Sequence, residues 1–473
     1  MINVLFLDRS NPDFLNWIYE LARFIGDSGV RLLFLSDKEA SRVHGNLEII
    51  NVNDVPQRLN LVELQGKYSF SIYRTLVPER AFVDYSSFRR SQCYSRLTME
   101  EIARKAQPYY NALDYVVRER ADLILEGLAD NFMTASAGAI SQHYCKPFRM
   151  IFVYYWWSDG VLLVDRQDQT SSHVDQDYLK FYANPGLVDR AEIDKLFSTK
   201  KLNLAYSGAG GNYSFKKRLT QIANRFKSYE PPSILNWIVR RLGRTSSRLL
   251  ISWFIKRNKV RSDTGKFLLF PLHVSPEASL LGSCPELADQ YSLIKNISMN
   301  LPFGVSLYVK EHPHQIVGDG LNFEFYSRLN ALPNIKYFSG DASLHSLLKD
   351  PDCIAVATIN GTVGIEAALI KKPVFVFGQA IYGAADCFVK PRNFSEFRAA
   401  VMEILKGGFR FDEDALYAIL KAIDDNVIRA DIDMNDHHSW EAVSLATVPI
   451  YAKFIHGQSW REESEMGGGS DEC

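Results

Sequence analysis

The sequence has 473 residues, of which 47% are hydrophobic and 23% are charged, a composition typical of globular proteins and incompatible with a mainly disordered chain. Its 54 basic and 55 acidic residues leave a formal net charge of −1, which argues against nucleic-acid binding over a broad surface. The length fits two or three domains. The six cysteines are scattered without any C-x-x-C pair, so neither a zinc site nor a disulfide framework is expected. We expect reduced thiols in a cytoplasmic protein.

The first 235 residues alternate short apolar runs with helical patterns, which predicts βα units and a parallel sheet. The run at 2–7 lacks the basic flank of a signal peptide and is interpreted as a strand. No stretch is apolar for long enough to predict a membrane span. The other elements predicted here are a helix from 12 to 25, a strand at 30–35, a helix at 98–120 that Pro108 could interrupt, a strand at 121–125, a helix at 131–143 and a strand at 148–155.

The pattern is weak and polar from 165 to about 230, and the glycine cluster at 208–211 is interpreted as a flexible turn because it does not match G-x-G-x-x-G. Between 233 and 261, eight Arg and Lys residues lie among apolar and aromatic residues, with no acidic residue. This basic segment, 236–264, has two interpretations. It could connect two domains, with arginine stems covering apolar surface, or it could bind the anionic inner leaflet of a membrane.

The second half predicts an open parallel α/β domain at 265–410. Its predicted strands lie at 266–272, 305–310, 335–338, 354–358 and 374–377, and its helices at 286–299, 322–331, 343–349, 364–370 and 395–406. Helical stretches at 412–424 and 439–455 then form a C-terminal region at 411–456, and the tail at 457–473 is expected to be disordered.

Polar residues follow several of these strands, and open parallel sheets bind ligands beyond the carboxyl ends of their strands. After the first strand of the second half, His273 and Glu277 could form an acid/base pair, although Glu277 could simply begin a helix. After the next strand, Lys310 and His312 could pair with phosphate oxygens, with Pro313 stiffening the turn. A solvated surface turn is the alternative there.

The turn after the strand at 354–358 is the third candidate. Asn360, Gly361, Thr362 and Gly364 could bind a phosphate at the start of the following helix, and Glu366 could accept hydrogen bonds from a ribose. A simple capped helix is the alternative. The segment 377–383 would flank the same crevice.

Two strand ends of the first half also carry carboxylates, Glu126 and Asp159, and either could act as a base toward an acceptor hydroxyl. The sequence contains no P-loop motif, no H-E-x-x-H and no G-x-S-x-G. A P-loop ATPase is therefore disfavoured, and we expect neither a metal site nor a cofactor.

Four segments, at 270–279, 308–313, 358–368 and 372–378, resemble the bacterial capsule polysaccharide biosynthesis family, which includes the retaining β-Kdo transferases. The resemblance implies a GT-B-like fold, with two Rossmann-like domains facing across a cleft, followed here by C-terminal helices. The first domain, 1–235, would hold the acceptor, and the second, 265–410, the nucleotide sugar. His312 and Pro313 resemble the HP motif that contacts the nucleotide phosphate in CMP-sugar transferases. Glu277 lies where Kdo transferases carry an acidic pair, one member of which Pro276 replaces.

The resemblance therefore implies a glycosyltransferase of capsular or lipopolysaccharide biosynthesis, with a nucleotide-sugar donor, CMP-Kdo favoured, and a glycan or lipid-linked acceptor. The expected location is cytoplasmic, with a peripheral contact to the inner membrane as an option. Two alternatives stay open: a non-catalytic carbohydrate-binding or export-linked capsule protein, and a nucleotide-sugar epimerase of the same architecture.

Overall fold

The computed structural model describes residues 1–7, 12–37, 39–68, 71–76, 99–126, 132–154, 160–166, 168–199, 265–274, 278–312, 323–338, 340, 342–429, 448–449 and 451–456. The predictions for Glu277, Asp159, Pro313, the basic segment 236–264 and the tail 457–473 lie outside these residues, as does that for the side chain of Glu126.

Among the described residues, the first part of the chain forms seven strands and six α-helices. The strands are β1 (Ile2–Leu7), β2 (Val30–Ser36), β3 (Arg42–His44), β4 (Leu47–Asn51), β5 (Leu123–Glu126), β6 (Phe148–Tyr154) and β7 (Gly160–Val164). The helices are α1 (Pro12–Ile25), α2 (Leu61–Tyr68), α3 (Met99–Glu119), α4 (Phe132–His143), α5 (Ser172–Ala183) and α6 (Arg190–Thr199).

The second part supplies β8 (Phe267–Pro271), β9 (Ser306–Lys310), β10 (Ile335–Phe338), β11 (Cys353–Thr358), β12 (Val374–Val376), β13 (Phe388–Val389) and β14 (Val427–Arg429). Its helices are α7 (Ala278–Ser283), α8 (Gln290–Asn300), α9 (Phe323–Asn330), α10 (Leu344–Lys349), α11 (Val363–Leu369), α12 (Phe394–Leu405) and α13 (Glu413–Asn426).

Two separate sheets confirm the predicted mixed α/β fold. The first has the order β14-β7-β6-β5-β1-β2-β4-β3, and its five strands from β6 to β4 are parallel. The second has the order β10-β9-β8-β11-β12-β13 and is parallel throughout. The strands β8, β9, β11 and β12 are largely buried, as expected for a parallel sheet covered on both faces, whereas the edge strand β10 is half-buried throughout.

The first helix shows how the sequence builds the first domain. Pro12 occupies the first turn, where its missing N–H costs nothing, and α1 buries its apolar face against β1. The rings of Phe6 and Trp17 meet edge to face with centroids 5.6 Å apart. Tyr451, in the helical residues 451–456, completes this cluster with its ring centroid 4.8 Å from that of Trp17, so the end of the described chain packs on the first domain.

The final strand was not predicted from the sequence. After α13 the chain returns to the first sheet, where β14 pairs antiparallel with β7 and Val427 lies opposite Leu162. Helix α13 packs against α5 on the way, and the Tyr182 hydroxyl donates to the Asp412 carboxylate at 2.7 Å. In chain order, the second sheet therefore lies between two neighbouring strands of the first sheet, β7 and β14.

Several local predictions need correction. Helix α3 runs through Pro108 without interruption, at the cost of one backbone hydrogen bond. The predicted helix at 286–299 is a short 3₁₀ turn at 285–287 followed by α8. The region judged weak and polar contains α5 and α6, where Ser171 caps α5 by accepting a hydrogen bond from the Val174 N–H.

Candidate active site

The carboxyl ends of β9, β8, β11 and β12 lie side by side, because these four parallel strands are consecutive neighbours in the second sheet. The loops that follow them carry His312, His273, Gly361 and Tyr382 respectively. The topology thus brings together the strand ends that the sequence singled out in the second half. We call this edge the strand-end site.

His273 is held firmly at the end of β8. Its N–H donates to Oε1 of Gln290 at 2.9 Å, and Nε2 of Gln290 donates back to the His273 carbonyl at 3.1 Å. The residue is buried, and its ring lies against the turn after β11, where a Cβ placed on Gly361 would be 3.3 Å from Cε1 of His273. Its imidazole therefore lies within the strand-end site, and its predicted acid/base role stays a prediction.

The Gly361 peptide is bound on both sides. Its N–H donates to Oγ1 of Thr358 at 3.0 Å, and its carbonyl accepts from the buried Tyr382 hydroxyl at 2.5 Å. The N–H of Gly364 also donates to this carbonyl at 3.0 Å, and a Cβ on Gly364 would collide with the Tyr382 ring. Both glycine N–H groups donate within the protein, so the predicted contact of these two residues with a phosphate stays a prediction.

The remaining residues of this turn face different surroundings. Nδ2 of Asn360 donates to Oγ of Ser283 at 2.7 Å, which joins the end of β11 to α7. Thr362 is exposed. Glu366 is half-buried and makes no side-chain hydrogen bond or ion pair with the described residues, and burial raises its pKa to about 7. Its predicted contact with a ribose stays a prediction.

Lys310 is buried at the end of β9. The residue is only 3% exposed, and its Nζ donates to the carbonyl oxygens of Glu311 at 2.9 Å and Gly340 at 3.2 Å. This ammonium group joins the loop after β9 to the loop after β10, and its predicted contact with phosphate stays a prediction. His312, in contrast, is half-exposed at the same strand end.

The sequence placed Thr358, Glu311 and Tyr382 within its strand-end motifs but assigned no role to them. Cys284 was missed from the sequence, and its Sγ accepts a hydrogen bond from the Gln379 N–H at 3.0 Å. A Cβ on Gly378 would lie 2.5 Å from this sulfur, so the glycine permits the contact. Burial raises the pKa of the Cys284 thiol. The pairing joins residues 95 positions apart, which no local pattern reveals.

The described residues contain no group of three or more His, Cys, Asp or Glu side chains arranged to hold a metal ion. Within the same part of the chain, every helix is too short or too polar to cross a bilayer.

Comparison with known proteins adds a family. Residues 219–397 match the family model described as capsule polysaccharide biosynthesis protein, a match that spans less than half of the chain but includes the whole strand-end site. No curated protein sequence matches the chain.

Solved structures similar to this chain include three enzymes or complexes of interest. The Thermosulfurimonas dismutans KpsC β-Kdo 2,4-transferase is 14% identical, with 64% of this chain and 88% of that one covered and a TM-score of 0.29. The β-Kdo 2,7-transferase of the same KpsC is 12% identical over 89% and 99%, with a TM-score of 0.30. Anabaena Alr3699/HepE with UDP and glucose is 12% identical over 97% and 99%, with a TM-score of 0.27.

TM-scores this low do not support conclusions, so the fold rests on the two sheets, the first parallel in five of its strands and the second parallel throughout, and the family rests on the sequence match. Over residues 219–397 the chain carries the sequence pattern of the capsule polysaccharide biosynthesis family, which confirms the resemblance predicted from its motifs.

Proposed function

We propose that the chain is a glycosyltransferase of bacterial surface polysaccharide biosynthesis, acting on a nucleotide-activated sugar. A CMP-sugar such as CMP-Kdo is the favoured donor, and a glycan or glycolipid is the acceptor. The observation that carries the proposal is the convergence of His273, His312 and the Asn360–Thr362 turn at one edge of a parallel sheet, inside the segment that matches the family.

The proposed reaction uses these groups as follows. The donor phosphate lies near His312 and Thr362, and a protonated His312 stabilises the negative charge that develops as the bond from the sugar to the phosphate breaks. The acceptor hydroxyl oxygen then forms the new bond to the oxocarbenium-like sugar. The proton of the acceptor hydroxyl passes to Glu126 or Asp159 of the first domain. Glu277 is the first candidate for the nucleophile or for the group that stabilises the oxocarbenium-like sugar. His273, four residues earlier in the sequence, is its proposed acid/base partner.

A panel of nucleotides tests the donor class directly. CMP, UDP, GDP and their sugars are added separately to the full chain, and the thermal unfolding midpoint is measured. We expect selective stabilisation by CMP, since a ligand that binds only the folded state raises the midpoint. No response to any nucleotide would favour a carbohydrate-binding protein over an enzyme, and conversion of a nucleotide sugar without acceptor would indicate an epimerase.

Two substitutions test the catalytic assignment. His312→Ala and Glu277→Ala are each expected to lower transfer by about 100-fold or more, the size of effect typical for loss of one group that stabilises transition-state charge. Circular dichroism and the unfolding midpoint should stay close to those of the wild type. Full activity in both variants would contradict the assignment.

Peripheral membrane contact of the basic segment 236–264 is a separate part of the proposal, since an acceptor linked to lipid would lie at the inner leaflet. Co-sedimentation with vesicles of increasing anionic lipid content tests it. Binding that is independent of anionic lipid would leave the segment as a connection between domains.

A further inference from the structure

We propose that Glu311 is a positioning residue that fixes His312 at the strand-end site, and that Tyr326 and Lys310 act through it. The inference rests on the proposed function in one respect only, namely that His312 contacts the donor phosphate.

All polar groups of Glu311 are engaged. Its N–H donates to the Phe338 carbonyl at 2.9 Å, and its own carbonyl accepts from Nζ of Lys310 at 2.9 Å. Oε1 of its carboxyl group accepts from the Tyr326 hydroxyl, and Oε2 accepts from the Gly340 N–H at 3.4 Å. Hydrogen bonds therefore fix both the main chain and the side chain of Glu311.

These contacts come from three directions. Tyr326 lies on α9, Gly340 follows β10, and Lys310 ends β9 and reaches the Gly340 carbonyl as well. Glu311 is 5% exposed and Tyr326 is 3% exposed, so the cluster is closed to water. The residue directly before His312 is thus anchored to the neighbouring strand end and to the helix that covers it.

Stability alone does not account for this cluster. Apolar side chains of similar volume usually fill a buried site at no greater cost than an ionisable group, whose desolvation is unfavourable. Burial indeed raises the pKa of Glu311, and the hydrogen bonds from Tyr326 and Gly340 only partly oppose this. A directional network gives what apolar packing does not, a single backbone position for the next residue. That residue, His312, is half-exposed.

The test uses Tyr326→Phe, which removes one hydroxyl and keeps the ring. The full chain is labelled with ¹³C at the histidine Cε1, the His312 signal is assigned with His312→Gln, and the CMP dissociation constant is measured by calorimetry. We expect the His312 signal to shift or broaden and CMP affinity to fall roughly fivefold, the effect of one net hydrogen bond. Glu311→Gln keeps one acceptor oxygen. Its CMP affinity should therefore lie between those of the wild type and Glu311→Ala.

Tyr417→Phe is the matched control, because its hydroxyl also donates to a carboxylate, Asp194 at 2.7 Å, but joins α13 to α6. It should leave the His312 signal and CMP affinity unchanged. An unshifted His312 signal in Tyr326→Phe would overturn the positioning role, including when the variant is less stable than the control. Absence of CMP binding in the wild type would contradict the proposed function alone, since the His312 signal still decides the present inference.

Discussion

The pKa values of buried carboxyl groups are shifted in opposite directions in the two domains, downward for Asp114 and upward for Glu311 and Glu366. In the first, Asp114 on α3 accepts from Nζ of Lys67 at 2.6 Å, from the Tyr144 hydroxyl at 2.8 Å and from Tyr68. In the second, Glu311 and Glu366 lie on or beside the loops that follow the strands. Burial raises the pKa of Asp114, but hydrogen bonds from Lys67 and the two tyrosines outweigh it, and the net pKa is lowered.

The difference separates stability from function. The Asp114 cluster contains its own cation and joins residues of α2 and α3 to Tyr144, which follows α4, so its electrostatics are compensated locally. Glu366 has no such partner among the described residues, and its pKa of about 7 is of the kind that marks functional sites. We therefore expect substitutions in the two regions to affect different measurements.

The largest effect on stability is expected for Asp114→Ala. It leaves a partly buried ammonium group and two tyrosine hydroxyls without their common acceptor, which should cost about 2–3 kcal/mol of unfolding free energy. Urea unfolding followed by tryptophan fluorescence measures this. CMP affinity should not change, and a parallel loss of affinity would break the distinction between the domains. Glu413→Ala, which removes an exposed ion pair with Lys371, is the control and should cost less than about 1 kcal/mol.

Gly361→Ala is expected to show the reverse pattern. The new Cβ would lie 2.9 Å from Oγ1 of Thr358 and 3.3 Å from the His273 ring, and both side chains are buried and cannot easily move. The turn must shift, and we expect CMP affinity to fall about tenfold, equivalent to roughly 1.4 kcal/mol. Gly66→Ala in α2 meets no atom within 4 Å and should stabilise the protein by about 0.5–1 kcal/mol without affecting binding. Equal affinity in both variants would remove Gly361 from the site.

Glu366→Gln is expected to change how the stability of the protein depends on pH. The pKa of Glu366 is raised to about 7 in the folded state, so between its ordinary value near 4.5 and pH 7 the folded state binds more protons than the unfolded state. The stability of the wild type therefore falls as pH rises through this window. The glutamine variant lacks this loss, so it should match the wild type at pH 4 and exceed it at pH 8 in thermal unfolding. A difference that is constant with pH would contradict the assignment.

How much of this arrangement could be predicted depends on the range of the interactions. Apolar runs such as 2–7 and 305–310 predicted their strands because buried parallel strands are continuously hydrophobic. The edge strand β3 was missed because its three residues are all exposed and carry no apolar pattern. Helix α5 did carry a signal, in the spacing of Val174, Tyr178 and Phe181, that the polar residues around it obscured.

In the candidate site, too, local features could be predicted from the sequence and contacts between distant residues could not. Strand-end positions follow from sequence, so His273, His312 and Gly361 could be named in advance. The direction of the Lys310 side chain could not, because its carbonyl partner in Gly340 lies 30 residues away. Likewise Tyr382 meets Gly361 across 21 residues and on a different strand end, which only the folded sheet reveals.

The return of the chain to the first sheet has a practical consequence for dissecting the protein. A fragment that stops before α13 would lack β14, the partner of β7, and would expose the face of α5 that α13 covers. The first domain is discontinuous in sequence, so it cannot be isolated by a single cut.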